Sequence, residues 1–299
     1  MLITLVTYGR PRWASAIIAH LRKEAPEALI AVCDNGVRPG DDPAMGFSGD
    51  DARQRLWTHF GFNDQTAICG PDPLGKNNPP ASMFQRNGIP NGARVLVWRP
   101  SRNLGAGGGR NELLRLRLPG EPFIRIDDDW MPKEHGWLAA AQKASQGPDG
   151  RTAVGLVRVA PTHRMERDFT PPAKGETQWR LPDCCGPIWL VTGECADALG
   201  GFYLGFGATL LDDLEYSRRA VRWQQERFPS GGRGVLEMGW PVRDFGNGAG
   251  TAWAPPWDLF QARCEAIRRR IAPLGVPLKQ EAPGYEWRRA GREYKETAE

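Results

Sequence analysis

Three consecutive aspartates, Asp127, Asp128 and Asp129, sit in the run Phe123-Ile124-Arg125-Ile126-Asp127-Asp128-Asp129-Trp130-Met131-Pro132. Adjacent like charges repel, so a fold keeps them together mainly where a cation neutralises them. Donors that are all oxygen favour a hard divalent ion, Mg2+ or Mn2+, and such an ion also takes phosphate oxygens. The plainer alternative is a solvated acidic turn. The β-prone residues before the triplet deliver it to a strand end, and Pro132 discourages any continuation. Two further acidic groups occupy comparable places. Asp34 closes the apolar run 29–33 in an Asp34-Asn35-Gly36 turn signal, where it could accept hydrogen bonds from a base or a ribose. Asp212-Asp213-Leu214-Glu215 reads as the opening of a helix, whose N-terminal dipole favours negative charge with or without a catalytic task.

The elements that must hold these groups alternate. Residues 2–7 read as a strand, and Trp13, Ile17 and Leu21 recur every four residues on one helical face. Further strands are predicted over 29–33, 94–98, 123–126, 153–159 and 188–192, with helices over 110–118 and 136–145. Apolar strands separated by helices predict an α/β fold, a mainly parallel twisted sheet with helices on both faces. Such sheets bind ligands at the carboxyl ends of strands, where Asp34 and the aspartate triplet both fall. Residues 37–93, rich in Gly, Pro, Asn and Asp, carry one short helix over 50–60 and read as an insertion bordering the site. Residues 160–180 read as a loop, and the prolines after 255 make the chain end irregular. The expected organisation is one catalytic domain over 1–222 and an extension over 223–299 that serves an acceptor site or packing.

Bulk properties bound the possibilities. With 299 residues, 40% hydrophobic and 25% charged, the chain has the composition of a soluble globular enzyme. No apolar run is long enough to cross a bilayer, and residues 1–6 are too short for a secretion signal, so a cytoplasmic location is expected. The six cysteines show no zinc-type spacing and are expected to be reduced. The net charge of +4 is matched by residues 215–299 alone, with 15 Lys/Arg against 11 Asp/Glu. That favours an anionic partner there only weakly.

Taken in order, Thr7-Tyr8-Gly9-Arg10-Pro11, Asp34, Asn103-Leu104-Gly105, Gly109-Arg110-Asn111, the aspartate triplet, Gly200-Gly201-Phe202 and Asp212-Asp213 resemble the GT-A glycosyltransferases, and within them the inverting family 2. The resemblance spans residues 2–222. It implies a Rossmann-like GT-A domain, a divalent cation (Mn2+ or Mg2+) and a nucleotide-sugar donor, UDP-linked first, GDP- or TDP-linked as alternatives. It implies that Asp127 and Asp129 hold the metal while Asp128 faces the ribose. Thr7 and Tyr8 would line the base pocket, Tyr8 by stacking. Arg10 is either a ligand or a surface residue. Asn103, Gly105, Arg110 and Asn111 would help hold the nucleotide and keep the acidic motif in register. Gly107-Gly108-Gly109 before a helix start would let backbone N–H groups approach an anion, unless the run is a flexible loop.

The family places an acidic pair at a helix start as the base for the acceptor hydroxyl; here Asp213 takes that role, with Asp212 as backup. In-line attack by the activated hydroxyl inverts the anomeric centre, whereas retention would need a different arrangement. Many relatives add a late histidine to the metal, but His20, His59, His135 and His163 all precede the acidic pair. His163 is either a further metal ligand on a loop or a plain surface histidine. Acceptors open at this point are a glycan, a lipid-linked sugar, a protein or hydroxymethylated phage DNA. Trp240, Trp253 and Trp257, with arginines such as Arg218, Arg219, Arg222 and Arg268, could stack bases and track phosphates, though core packing explains tryptophans equally well. The competing functions are a nucleotidyltransferase and a non-catalytic nucleic-acid-binding protein. The former would want a glycine-rich loop with a lysine after the first strand, and the latter leaves the aspartates without a task.

Overall fold

The computed structural model describes residues 1–8, 10–35, 66–69, 94–98, 100, 104–147, 154–161, 172–180, 187–204, 212–228 and 235–245. Along the chain run β1 (Leu2–Thr7), α1 (Pro11–Glu24), β2 (Leu29–Asp34), β3 (Thr66–Cys69), β4 (Val95–Trp98) and α2 (Gly105–Leu114). There follow β5 (Phe123–Asp127), β6 (Trp130–Pro132), α3 (Trp137–Ala144), β7 (Leu156–Pro161) and β8 (Thr177–Arg180). The last are β9 (Ile188–Val191), α4 (Gly193–Leu199), α5 (Asp212–Arg227), β10 (Val235–Trp240) and β11 (Val242–Asp244).

One nine-stranded sheet has the order β3-β4-β2-β1-β5-β9-β7-β10-β8. Only β9 and β8 run against the other seven strands, so the sheet is mainly parallel, as the alternating pattern predicts. Period-two alternation divides its side chains between two cores. Ile3, Leu5, Ile30, Val32, Ile124 and Ile126 pack with Ile17, Leu21 and Trp137 of α1 and α3 on one face. Leu2, Ala31, Cys33, Phe123 and Trp189 pack with Leu113, Leu199 and Tyr216 of α2, α4 and α5 on the other. Helices therefore cover both faces. A separate pair, β6 and β11, runs antiparallel beside the triplet.

Four departures from expectation have physical causes. The run Thr66-Ala67-Ile68-Cys69 forms an edge strand inside 37–93, because it is short, apolar and paired along β4. Residues 177–180 form β8 within the predicted loop by pairing antiparallel with β10. Beyond residue 222, α5 continues to Arg227 and β10 lies between β7 and β8. Finally, α2 starts at Gly105 instead of residue 110, with Gly107, Gly108 and Gly109 buried inside it. Glycine disfavours helix, so the run reads locally as a loop. Close approach overrides that preference: a Cβ on Gly109 would stand 3.0 Å from both Cys33 Sγ and a Val6 methyl, and one on Gly107 2.8 Å from Leu204. The glycines thus serve contact between α2, the sheet and the chain beyond α4, and they do not form an anion loop before the helix. The helix predicted over 50–60 lies outside the described residues. Among the described residues, no helix is long and apolar enough to cross a membrane.

Asn111 ties these layers together. Its side chain donates to the Phe202 carbonyl at 2.8 Å and accepts from the Phe202 N–H at 2.7 Å, all buried. Arg219, fully buried, donates to the carbonyls of Leu199 and Gly201 and to Glu215. The segment Gly200-Gly201-Phe202 is therefore pinned between α2 and α5. Asn111→Ala strands two buried backbone groups of Phe202, and urea unfolding should show a loss of about 2–4 kcal/mol.

Candidate active site

The carboxyl ends of β1, β2 and β5 meet the N-termini of α2 and α5. Arg125 and Asp127 are two apart on β5 and share the face covered by α2 and α5. Arg110 reaches the same point from α2. Its Nη1 donates to Asp212 Oδ2 at 2.6 Å and Asp213 Oδ1 at 3.0 Å, and its Nη2 to Asp127 Oδ1 at 2.7 Å. Arg125 Nη2 donates to Asp127 Oδ1 at 2.9 Å and to Asp213 Oδ2 at 2.5 Å. Asp127 and Asp213 are thus no more than two hydrogen-bond lengths apart, bridged by one nitrogen. The Arg125 guanidinium also lies 4.5 Å from the Trp189 ring centroid, opposite it on β9.

The other two aspartates of the triplet turn toward β1. Asp128 Oδ2 accepts from the Thr7 hydroxyl at 2.8 Å and the Tyr8 N–H at 3.3 Å. Arg10 Nη1 spans Asp128 Oδ1 at 3.2 Å and Asp129 Oδ2 at 2.8 Å. Arg10 is accordingly an ion-pair partner of the triplet, with its guanidinium also over the Trp13 ring. The buried Asp128, with its donors from Thr7, Tyr8 and Arg10, braces the β1–α1 turn. Asp127 and Asp129 keep more of their surface, with side chains 28% and 21% exposed against 11% for Asp128.

Among the described residues, five carboxylates therefore meet three guanidiniums, an excess of two acidic groups. The excess shows in the protonation equilibria. Burial, then the charges of Asp127 and Asp128, push Asp129 up to about 7. Asp213 is also raised to about 7, by burial first; the attraction of Arg125 opposes it, and Asp212 adds to it. Burial raises Asp128 as well, against the pull of Arg10. Arg110 is raised too, which for a guanidinium means held charged: burial alone would lower it, but Asp213, Asp212 and Asp127 outweigh that. A divalent cation fits this environment, because it supplies the missing charge and Asp127 and Asp129 offer it partly exposed hard oxygens.

Asp34 is buried at the end of β2, level with Thr7 in the parallel register. Its neighbour Asn35, passed over in the turn signal, is the connector: it accepts from the Leu104 N–H and donates to the Gly105 carbonyl. Gly105, at φ +70°, opens α2 at that contact. Asn111 points instead into the Phe202 clamp. Asn103, His163, Trp253, Trp257 and Arg268 lie outside the described residues. Sequence reading also passed over Arg125, whose signal is a charge in a strand interior two residues before an acid. Trp240 is buried in β10 under Lys174 and its indole N–H donates to the Glu134 carbonyl, so it is core and not a stacking platform. Arg222 pairs with Glu226, and Arg219 is the buried clamp.

Among solved structures, the chain is similar to the mannosyltransferase PcManGT from Pyrobaculum calidifontis, in complex with GDP-Man and Mn2+, at 15% identity and a TM-score of 0.53 over 99% of this chain and 74% of that one. It is likewise similar to S. aureus TarS 1-349, at 12% identity and a TM-score of 0.51 over 98% and 70% of the two chains. No protein-family model and no curated protein matches the sequence. At these identities the likeness is one of architecture: the chain has the fold of the GT-A glycosyltransferases.

The raised Asp213 has a sign opposite to the usual salt-bridged aspartate. Its folded value of about 7 lies above the unfolded one, so its contribution to stability is present at low pH and is lost as pH rises toward 7. Asp213→Asn lacks that loss. In metal-free buffer its stability relative to the parent should rise between pH 5 and pH 8, by about 2–3 kcal/mol in paired denaturation series.

Proposed function

We propose that this protein is a divalent-metal-dependent glycosyltransferase that moves a sugar from a nucleotide-sugar to an acceptor hydroxyl with inversion. The observation that carries the reading is the acidic excess at the strand tips among the described residues, five carboxylates against three guanidiniums, one of the five, Asp213, being held near neutral pKa. The GT-A architecture supports it, since a structural neighbour with that fold is a mannosyltransferase in complex with GDP-Man and Mn2+. Asp127 and Asp129 would hold the ion, with Mn2+ or Mg2+ both suited to oxygen donors. Bound there, the ion would neutralise the charge that builds on the departing diphosphate.

The chain's own residues do the rest. Asp34, Thr7, Tyr8 and Gly105 would border the nucleoside site, Asp128 secures the turn carrying Thr7 and Tyr8, and Asn111 keeps α2 in register. Among the described residues, Arg10 and Arg110, paired with the site aspartates, are cations that would face the donor phosphates. Asp213 accepts the proton of the acceptor hydroxyl as its oxygen attacks the anomeric carbon from the side opposite the diphosphate. A base with a value near 7 is matched to that task at neutral pH. Arg125 and Arg110 fix its orientation, and Asp212, more deeply buried, bonds Arg110 beside it. UDP-sugar is the first donor to try, with GDP- and TDP-sugars next, and a glycan, lipid-linked sugar or protein as acceptor. DNA is the acceptor to try last; of the arginines that could track its phosphates, Arg219 is buried in the clamp, Arg222 pairs with Glu226, and Arg268 lies outside the described residues.

Calorimetry with UDP, GDP and TDP should show binding of one nucleotide that strengthens with Mn2+; no binding to any of the three removes the reading. Asp213→Asn should keep that binding while donor turnover falls about 10²–10⁴-fold. Unchanged turnover in Asp213→Asn moves the base to Asp212. Filter binding to DNA at low salt should give no measurable affinity.

A further inference from the structure

The far end of α1 carries a cluster that sugar transfer leaves unused. His20 and Glu24 are four residues apart and share one face of that helix. His135, in the connection between β6 and α3, meets them there. Its Nδ1 lies 3.1 Å from Glu24 Oε2, and its ring stacks on His20 with centroids 4.4 Å apart. One nitrogen from each ring and one Glu24 oxygen all lie within 4.8 Å of one another. His20 Nε2 is shut off from solvent and has no hydrogen-bond partner among the described residues. A buried nitrogen in that state calls for an explanation.

We infer that His20, Glu24 and His135 form a second metal site, for Zn2+ or a similar borderline transition ion. Two imidazoles and a carboxylate make a zinc donor set that leaves the fourth position to water. Its nitrogen donors set it apart from the oxygen-only aspartates, which suit Mg2+ or Mn2+. Ten residues of α1 separate His20 from Arg10, the cap that binds Asp129, so the two sites stand about 15 Å apart along the helix. They do not share an ion.

The stacked rings are 6° from parallel, so one ion cannot lie in both ring planes until one ring turns. His135 is the ring free to do so: its side chain is 52% exposed, and Gly136 beside it has φ +88°. Glu24 stays in place, because its carboxylate also accepts the N–H groups of Gly136 and Leu138 at the start of α3. The bound ion cross-links α1 to the β6–α3 connection, the two segments whose opposite ends flank the aspartate triplet. This site is independent of the sugar-transfer reading.

The test uses the Asp127→Asn/Asp129→Asn double variant, which removes the proposed active-site ligands. Stripped with chelator and titrated with Zn2+ against a chromophoric competitor, it should bind one equivalent and melt at a higher temperature with Zn2+ than without. Co2+ should give visible ligand-field bands. Adding His135→Ala, or separately His20→Gln, should weaken Zn2+ binding by more than about tenfold and abolish the bands. The site is overturned if the double variant binds no Zn2+, or if Zn2+ affinity is the same with and without His135 and His20.

Discussion

Arg110 and Arg125 carry the constraint on which the rest of the site depends. Both are buried, and between them they contact Asp127 at the end of β5 and Asp212 and Asp213 at the start of α5, three carboxylates delivered by two elements. Without those cations the carboxylates could not stay ionised and adjacent in so dry a place. Buried ion pairs contribute little net stability, because desolvation cancels most of the attraction, but removing one partner is costly. Their effect here is geometric. One nitrogen of Arg125 sets the separation of Asp127 from Asp213, and one guanidinium of Arg110 aligns the start of α5 with the tip of β5.

The scaffold around that junction is arranged to let it form. α2 must come close enough to the sheet for Arg110 to reach Asp127, and its buried glycines allow that approach. α5 must present Asp212 and Asp213 to the same point, and the Arg219 and Asn111 clamps hold the chain before it between two helices. Asn35 joins the end of β2 to the start of α2. Each clamp satisfies buried backbone groups with one side chain, and so fixes the stretch of chain it grips beside the site.

The two clusters of this protein, one of aspartates and one of histidines with a glutamate, sit at the two ends of α1. Arg10 at its start engages Asp128 and Asp129, and His20 and Glu24 near its end engage His135. The chain between Asp129 and His135 runs alongside that helix, so the two ends are joined by two short, ordered paths. A metal at the far end would stiffen the frame carrying the triplet without touching it.

Much of this was legible from residue order. Apolar strand-length runs separated by helical stretches, one with its apolar residues spaced by four, pointed to the α/β class, and carboxylates at strand and helix ends marked the candidate site, because those signals are local. The glycine run misled for the same reason: locally it disfavours helix, and only contact with Val6 and Cys33 explains why α2 includes it. Arg125 and Asn35 were passed over because a charged residue in a strand and an asparagine in a turn acquire meaning from partners 88 and 69 residues away. The sequence by itself determined which groups could bear charge and on which elements they would ride. Tertiary structure decided how those charges are apportioned: which aspartates are bound by arginine, which reach the surface, and which titrate near neutrality. Burial and ion pairing depend on distances between segments that no local pattern encodes.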